Sequence, residues 1–118
     1  GLLAFSPLAC GLLSGKYEGG KATPQGSRKS IGDDLGGRVN PRMWSAVDAY
    51  LDIAKRYAID PVQLAIAWTL TRPFMASSII GATSTEQLST VLGATEITLG
   101  DDVLAEVEAA HRAHPMPY

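Results

Sequence analysis

Only two stretches of this 118-residue chain read as β-strands, and each runs into loop or helical signals rather than a hairpin turn. Leu2, Leu3, Ala4 and Phe5 form an apolar run that stops at Ser6-Pro7, where the proline removes a backbone donor and biases Ser6 toward extended geometry. Ser77-Ser78-Ile79-Ile80-Gly81 reads as the second strand, over 77–81. A fully apolar run this short suits a parallel strand covered on both faces, and strands alternating with helices point to an α/β parallel sheet. Two strands alone cannot satisfy their own edges, so the pattern predicts a sheet with more strands than these residues supply. The opening run has no leader, initiator Met or cap before it, as in a chain that begins in mid-fold.

Helix starts are well marked between and after the strands. Asn40-Pro41 and Asp60-Pro61 each place an N-cap residue before a proline at the first helical position, predicting helices over 41–58 and 61–71. The first carries an apolar stripe from Met43 and Trp44 through Val47, Tyr50, Leu51 and Ala54 to Tyr57 and Ala58. The second is apolar nearly all round, is predicted to be deeply buried, and ends before Pro73. Trp44, Trp68, Tyr50 and Tyr57 are assigned to these packing faces. Ser84-Thr85-Glu86-Gln87 has the capping-box pattern for a helix over 85–92. A last helix over 101–113 places Asp101 and Asp102 on its positive end, packs Val103, Leu104 and Val107, and stops before Pro115. The remaining stretch, 6–40, holds seven of the twelve glycines between Gly15 and Gly37 alone, carries five basic residues against three acidic ones, and reads as a long surface loop.

Charge and composition exclude several function classes. Ten Lys and Arg against twelve Asp and Glu, a net charge of −2, lack the basic excess that binds a nucleic-acid backbone. No apolar run approaches the ~20 residues of a membrane span. A single cysteine, Cys10, forms no internal bridge, and His111 and His114 have no thiol or carboxylate company for zinc, so the reading is a reducing, cytoplasmic compartment and no metal. The six acids and one base from Ser84 onward read as a solvated face, and Pro115 to Tyr118 as a tail laid over a neighbouring surface. No triad, carboxylate pair or metal cluster is visible.

Two segments carry candidate chemistry. After the first strand, Gly11, Gly15 and Lys16 offer unblocked backbone N–H groups and a cation, which suits either a phosphate cradle or a plain flexible glycine loop. The spacing is not that of a P-loop, since three residues rather than four separate the glycines and Tyr17 follows the lysine. After the second strand, the hydroxyls of Thr83 and Ser84 converge with the free N–H groups of a helix start, which suits either an anion site or an ordinary capping box. Both segments follow the carboxyl ends of parallel strands, the face where α/β barrels hold their ligands.

Phe5-Ser-Pro-Leu-Ala-Cys-Gly-Leu-Leu-Ser-Gly-Lys-Tyr17, Arg28, Pro61-Val-Gln-Leu-Ala-Ile-Ala-Trp68 and Ile80-Gly-Ala-Thr-Ser-Thr-Glu-Gln-Leu88 resemble the C-terminal part of the aldo-keto reductases, especially the bacterial reductases related to potassium-channel β subunits. The resemblance implies the C-terminal part of a (β/α)8 TIM barrel, with strands seven and eight, their helices and a C-terminal helix, incomplete as a stand-alone barrel. It implies an NADP-dependent oxidoreductase that reduces aldehydes or ketones, a small-molecule carbonyl substrate, and NADPH as cofactor. By the family's pattern Phe5 stacks on the nicotinamide, and Ser6, Pro7, Leu8, Gly11 and Lys16 wrap the pyrophosphate. Arg28 reaches the adenosine 2′-phosphate, and Gly81, Thr83 and Gln87 form a second phosphate loop. Val91 stands where the family usually has an Asn at adenine, and the family's proton-transfer residues belong to the first half of the barrel, so no catalytic residue is expected here. The alternatives are a non-enzymatic NADPH-sensing auxiliary subunit and an inactive truncated fragment. Self-association, or association with an N-terminal part, would complete the sheet.

Overall fold

Two parallel strands and five helices pack around two hydrophobic clusters in the computed structural model, which describes residues 1–32 and 34–117; Asp33 and the tail residue Tyr118 lie outside the described residues. Strand β1 spans Leu2–Phe5 and β2 spans Met75–Ile79. Their register pairs Leu2 with Met75, Leu3 with Ser77, Ala4 with Ser78 and Phe5 with Ile79, with an irregularity after the first pair. The second strand therefore lies two residues before the predicted 77–81. Its limits are set by its partner: the Leu2 N–H donates to the Phe74 carbonyl (2.7 Å) at one end, and β1 ends at Ser6, which turns to a left-handed φ of 53°. Ile80 and Gly81 are thus outside the ladder.

Stretch 6–40 departs most from the sequence reading. It contains a 3-10 segment over Ala9–Ser14, a second over Glu18–Gly20, and a four-residue helix α1, Arg28–Ile31. Leu12 and Tyr17 are each only 1 % exposed and, with Leu35, pack on Met43 and Val47 to form a second core. A surface loop would leave these side chains in water; their burial fastens the segment to the helix that follows.

That helix, α2, spans Pro41–Arg56, and α3 spans Pro61–Leu70. Both start as predicted: the Asn40 side chain accepts from the Met43 N–H (3.0 Å), and Asp60 accepts from the N–H groups of Val62 and Gln63 (2.9 and 3.2 Å). Helix α2 ends two residues short of 58 because the chain reverses in a Schellman turn, with Ile59 N–H donating to Ala54 O (2.9 Å) and Ala58 N–H to Lys55 O (3.2 Å). The left-handed position of that turn is Ala58 (φ 53°), where glycine is the unstrained choice. Helix α3 buries Leu64, Ile66, Ala67 and Thr69 but leaves Leu70 exposed and Trp68 half-buried, with the Arg72 guanidinium 4.5 Å from the indole centroid. It is an apolar helix with one side left open rather than a fully buried rod.

Helix α4 spans Thr85–Gly93 and α5 spans Asp101–Ala113. With α2 and α3 they enclose the main core of Ile53, Ala54, Leu64, Val91, Val103 and Val107. Gln63 of α3 donates to the Thr90 carbonyl (3.0 Å), and its amide occupies the space a side chain at Gly93 would need. Across the surface, the Arg56 guanidinium donates to both carboxylate oxygens of Glu106 and to Asp52 (2.7 Å), and Tyr57 donates to Glu106 (2.8 Å), tying α2 to α5. These donors, Arg56 first, hold the Glu106 carboxyl down from the ordinary 4.5 to about 2.

The apolar residues of the strands are largely exposed. Leu3 (60 %), Phe5 (76 %) and Ile79 (50 %) share one face of the sheet with Ser77. Near the opposite face, Ala4, Leu64, Trp68, Phe74 and Val107 line a groove of about 630 Å³, with His111 at its wall. No helix among the described residues is long and apolar enough to cross a membrane.

Replacing Ala58 with Gly is expected to raise stability by about 0.5 to 1 kcal/mol in equilibrium urea unfolding, since the left-handed strain is removed while the turn's hydrogen bonds remain. Because the folded-state carboxyl of Glu106 titrates below its unfolded value, its contribution is full above about pH 4.5 and is lost as pH falls toward 2. Urea midpoints across that window should therefore fall less steeply for Glu106→Gln than for the wild type.

Candidate functional site

Parallel pairing delivers the residues after β1 and after β2 to the same end of the sheet. There, segments far apart in sequence line one cavity of about 900 Å³. All ten residues singled out for cofactor binding are on its wall: Phe5, Ser6, Pro7, Leu8, Gly11, Lys16 and Arg28 from the first segment, and Gly81, Thr83 and Gln87 from the second.

Left-handed backbone builds the first wall. Ser6 (φ 53°), Ala9 (48°) and Cys10 (60°) hold conformations that cost non-glycine residues on the order of 1 kcal/mol or more each, and Gly11 follows at 91°. Leu8 (φ −98°, ψ 9°) stands between Ser6 and the left-handed pair Ala9 and Cys10, so the backbone reverses tightly here. The turn is held by Ala9 N–H to Ser6 O and Gly11 N–H to Leu8 O (both 2.9 Å), by Ser14 Oγ donating to Gly11 O (2.7 Å), and by buried Leu12 beneath it. Lys16 folds over Gly11 so closely that a Cβ there would stand 2.8 Å from both its Cε and its Nζ. The ammonium is 5.2 Å from the Tyr17 ring centroid.

The second wall is the start of α4. Ser84 caps it by accepting from the Gln87 N–H (3.1 Å). The Gln87 side chain reaches one residue further back than in a capping box, with Oε1 accepting from both the N–H (2.9 Å) and the hydroxyl (3.0 Å) of Thr83. This clamp fixes Thr83 at the mouth and leaves the N–H groups of Thr85 and Glu86 without an acceptor among the described residues. No side chain lies within 4 Å of where a Cβ on Gly81 would point, so that glycine leaves room for a ligand.

The wall carries two cations, Lys16 and Arg28, against one carboxylate, Glu86, and neither cation forms an ion pair among the described residues. Aligned amides, two cations and an apolar wall suit an extended, multiply charged anion with an aromatic part. Val91 is 5 % exposed; it belongs to the main core and also lines the cavity, where it offers a methyl surface and no hydrogen bond. Cys10 is half-buried, packs against the second core and also lines the cavity. Sequence reasoning missed Val62 on the wall, which α3 brings in by folding across the site, and Ser27, the buried cap of α1. A Ser one residue before Arg28 was the only available signal for the latter. Among the described residues no group of three or more His, Cys, Asp or Glu is placed to hold a metal ion.

Residues 1–112 match the family model described as the aldo/keto reductase family. The chain is 41 % identical over 116 residues to Protein tas of Escherichia coli (strain K12), and to Protein tas of Shigella flexneri at the same level, covering 98 % of this chain and 33 % of each relative. It is 38 % identical over 93 residues to a putative voltage-gated potassium channel subunit beta of Schizosaccharomyces pombe, covering 75 % of this chain and 26 % of that protein. The chain thus spans about a third or less of the length of these curated relatives.

Two glycines on this wall should respond differently to alanine. Gly11→Ala introduces left-handed strain and pushes the Lys16 head aside, an expected loss of about 1 to 2 kcal/mol in urea unfolding. Gly81→Ala meets open space without that strain and should change stability by less than about 0.5 kcal/mol.

Proposed function

The chain belongs to the aldo/keto reductase family, and from that premise we propose that it is the cofactor-gripping part of a (β/α)8 barrel that reduces aldehydes or ketones with NADPH. The observation that carries this reading is the convergence of two sequence-distant segments, with Lys16 and Arg28, on one cavity at the carboxyl end of a parallel strand pair. The donor set fits a dinucleotide phosphate: a left-handed amide turn and Lys16 on one side, a helix start with open N–H groups on the other, and Arg28 set apart on α1. NADPH, when bound, supplies the hydride for carbonyl reduction.

Every role of these residues is one of binding and orientation. Phe5, 76 % exposed at the strand end, offers an aromatic face for a planar ring. Lys16 neutralises the pyrophosphate, joined by the N–H groups of Leu8 and Cys10, which close no bond within the turn, with Gly81, Thr83 and Gln87 closing the opposite side. Arg28 takes the 2′-phosphate, for which a guanidinium is the apt partner because it offers paired donors. The proton donor is assigned to the upstream part of the barrel. The family resemblance assigns the pair as strands seven and eight, and the open apolar sheet face of Leu3, Phe5 and Ile79 supports a sheet with further strands. Further strands would cover that face, and a further helix the groove by Trp68 and Phe74. A cytoplasmic setting follows from the reducing compartment read from the lone cysteine.

Likeness to a putative channel β subunit favours a second reading, an auxiliary subunit that holds NADPH without turnover. Steady-state carbonyl reduction by the protein carrying this chain separates the two: measurable NADPH oxidation supports the reductase.

Titration of NADPH and NADH into that protein tests the site itself. Lys16→Ala is expected to weaken both nucleotides by roughly tenfold or more, and Arg28→Ala to weaken NADPH by a similar factor while sparing NADH, as loss of a charge-assisted hydrogen bond predicts. Unchanged affinities in both variants would refute the assignment.

A further inference from the structure

Arg28 sits on a helix of only four residues, too short to hold its own position, so something outside the helix must fix it. Ser27 caps it locally, accepting from the Ser30 N–H (3.4 Å), while Ser30 Oγ donates to Ser27 O (2.6 Å). Among the described residues a single side-chain hydrogen bond leaves α1 for the rest of the molecule: Lys29 Nζ donates to the Gly20 carbonyl at 3.1 Å. The same ammonium lies 5.7 Å from the Trp44 ring centroid and 5.9 Å from that of Tyr17. Gly20 in turn lies flat on Trp44, so close that a Cβ there would stand 3.1 Å from the indole carbons, with a φ of 91° that suits only glycine. Lys29 is therefore a peg that joins α1 to the second core through a carbonyl and two aromatic faces.

We propose that Lys29 is a positioning residue for Arg28 and so sets the preference for a 2′-phosphorylated over an unphosphorylated adenosine ribose. This rests on the reading of Arg28 given above. Lys29 itself is absent from the cavity wall, whereas its neighbour Arg28 is on it. Adjacent residues on a helix point about 100° apart, so one faces the ligand while the other grips the scaffold.

Affinities for NADPH and NADH, measured by fluorescence titration of the protein carrying this chain, test this in wild type, Lys29→Met, Lys29→Arg, Arg28→Ala and the double variant Lys29→Met/Arg28→Ala. Lys29→Met should weaken NADPH about fivefold to tenfold, the combined loss of one hydrogen bond and the cation–aromatic contacts, and leave NADH within about twofold. Lys29→Arg, which keeps the charge and a donor, should restore most of the loss. Lys29→Met should have no further effect once Arg28 is gone. Equal weakening of both nucleotides, no weakening at all, or the same weakening in the Arg28→Ala background overturns the inference while leaving Arg28's role intact. An NADPH-to-NADH preference unchanged by Arg28→Ala alone is the distinct result that overturns the underlying reading, and this inference with it.

Discussion

Everything at the candidate site depends on the direction of one strand pair. Leu2–Phe5 and Met75–Ile79 run parallel, and a parallel pair must send both continuations out at the same end. An antiparallel pairing of the same residues would put the Ser6–Lys16 turn and the start of α4 at opposite ends, and no shared cavity would form. The long crossover that parallel pairing demands is filled by α2 and α3, which also supply the core on which both walls stand.

The walls are stiffened by different means. On one side, strained backbone at Ser6, Ala9 and Cys10 is held in place by the burial of Leu12 and Tyr17 below it. On the other, an ordinary helix cap at Ser84 is supplemented by the Thr83–Gln87 clamp, a side-chain device that needs no strain. The cations belong to the first wall, the open helix amides to the second.

The sequence was most informative where a local rule acts alone. Asn40-Pro41 and Asp60-Pro61 mark their helix starts because the capping oxygen and the proline act within four residues, and both cap hydrogen bonds form. Helix α2 ends at Arg56, short of the predicted 58, because Ala58 takes the left-handed position without the glycine that normally signals it. The second strand was misplaced by two residues because its limits are set by β1, a partner far away in sequence. The burial of Tyr17 was invisible because glycines around it outweigh one aromatic in any composition argument; only the second core explains it. The ten candidate site residues came from the family resemblance, since spacing alone left both glycine loop and capping box open. The peg at Lys29 depends on the fold of a loop and had no local signal.

Helix α2 gives its first half, Met43 and Val47, to the core under the loop and its second half, Ile53 and Ala54, to the main core. The two cores therefore share a rod but no buried side chain. A displacement of the strained loop over Met43 and Val47 therefore breaks contacts of the smaller core and leaves those of Ile53 and Ala54 in place.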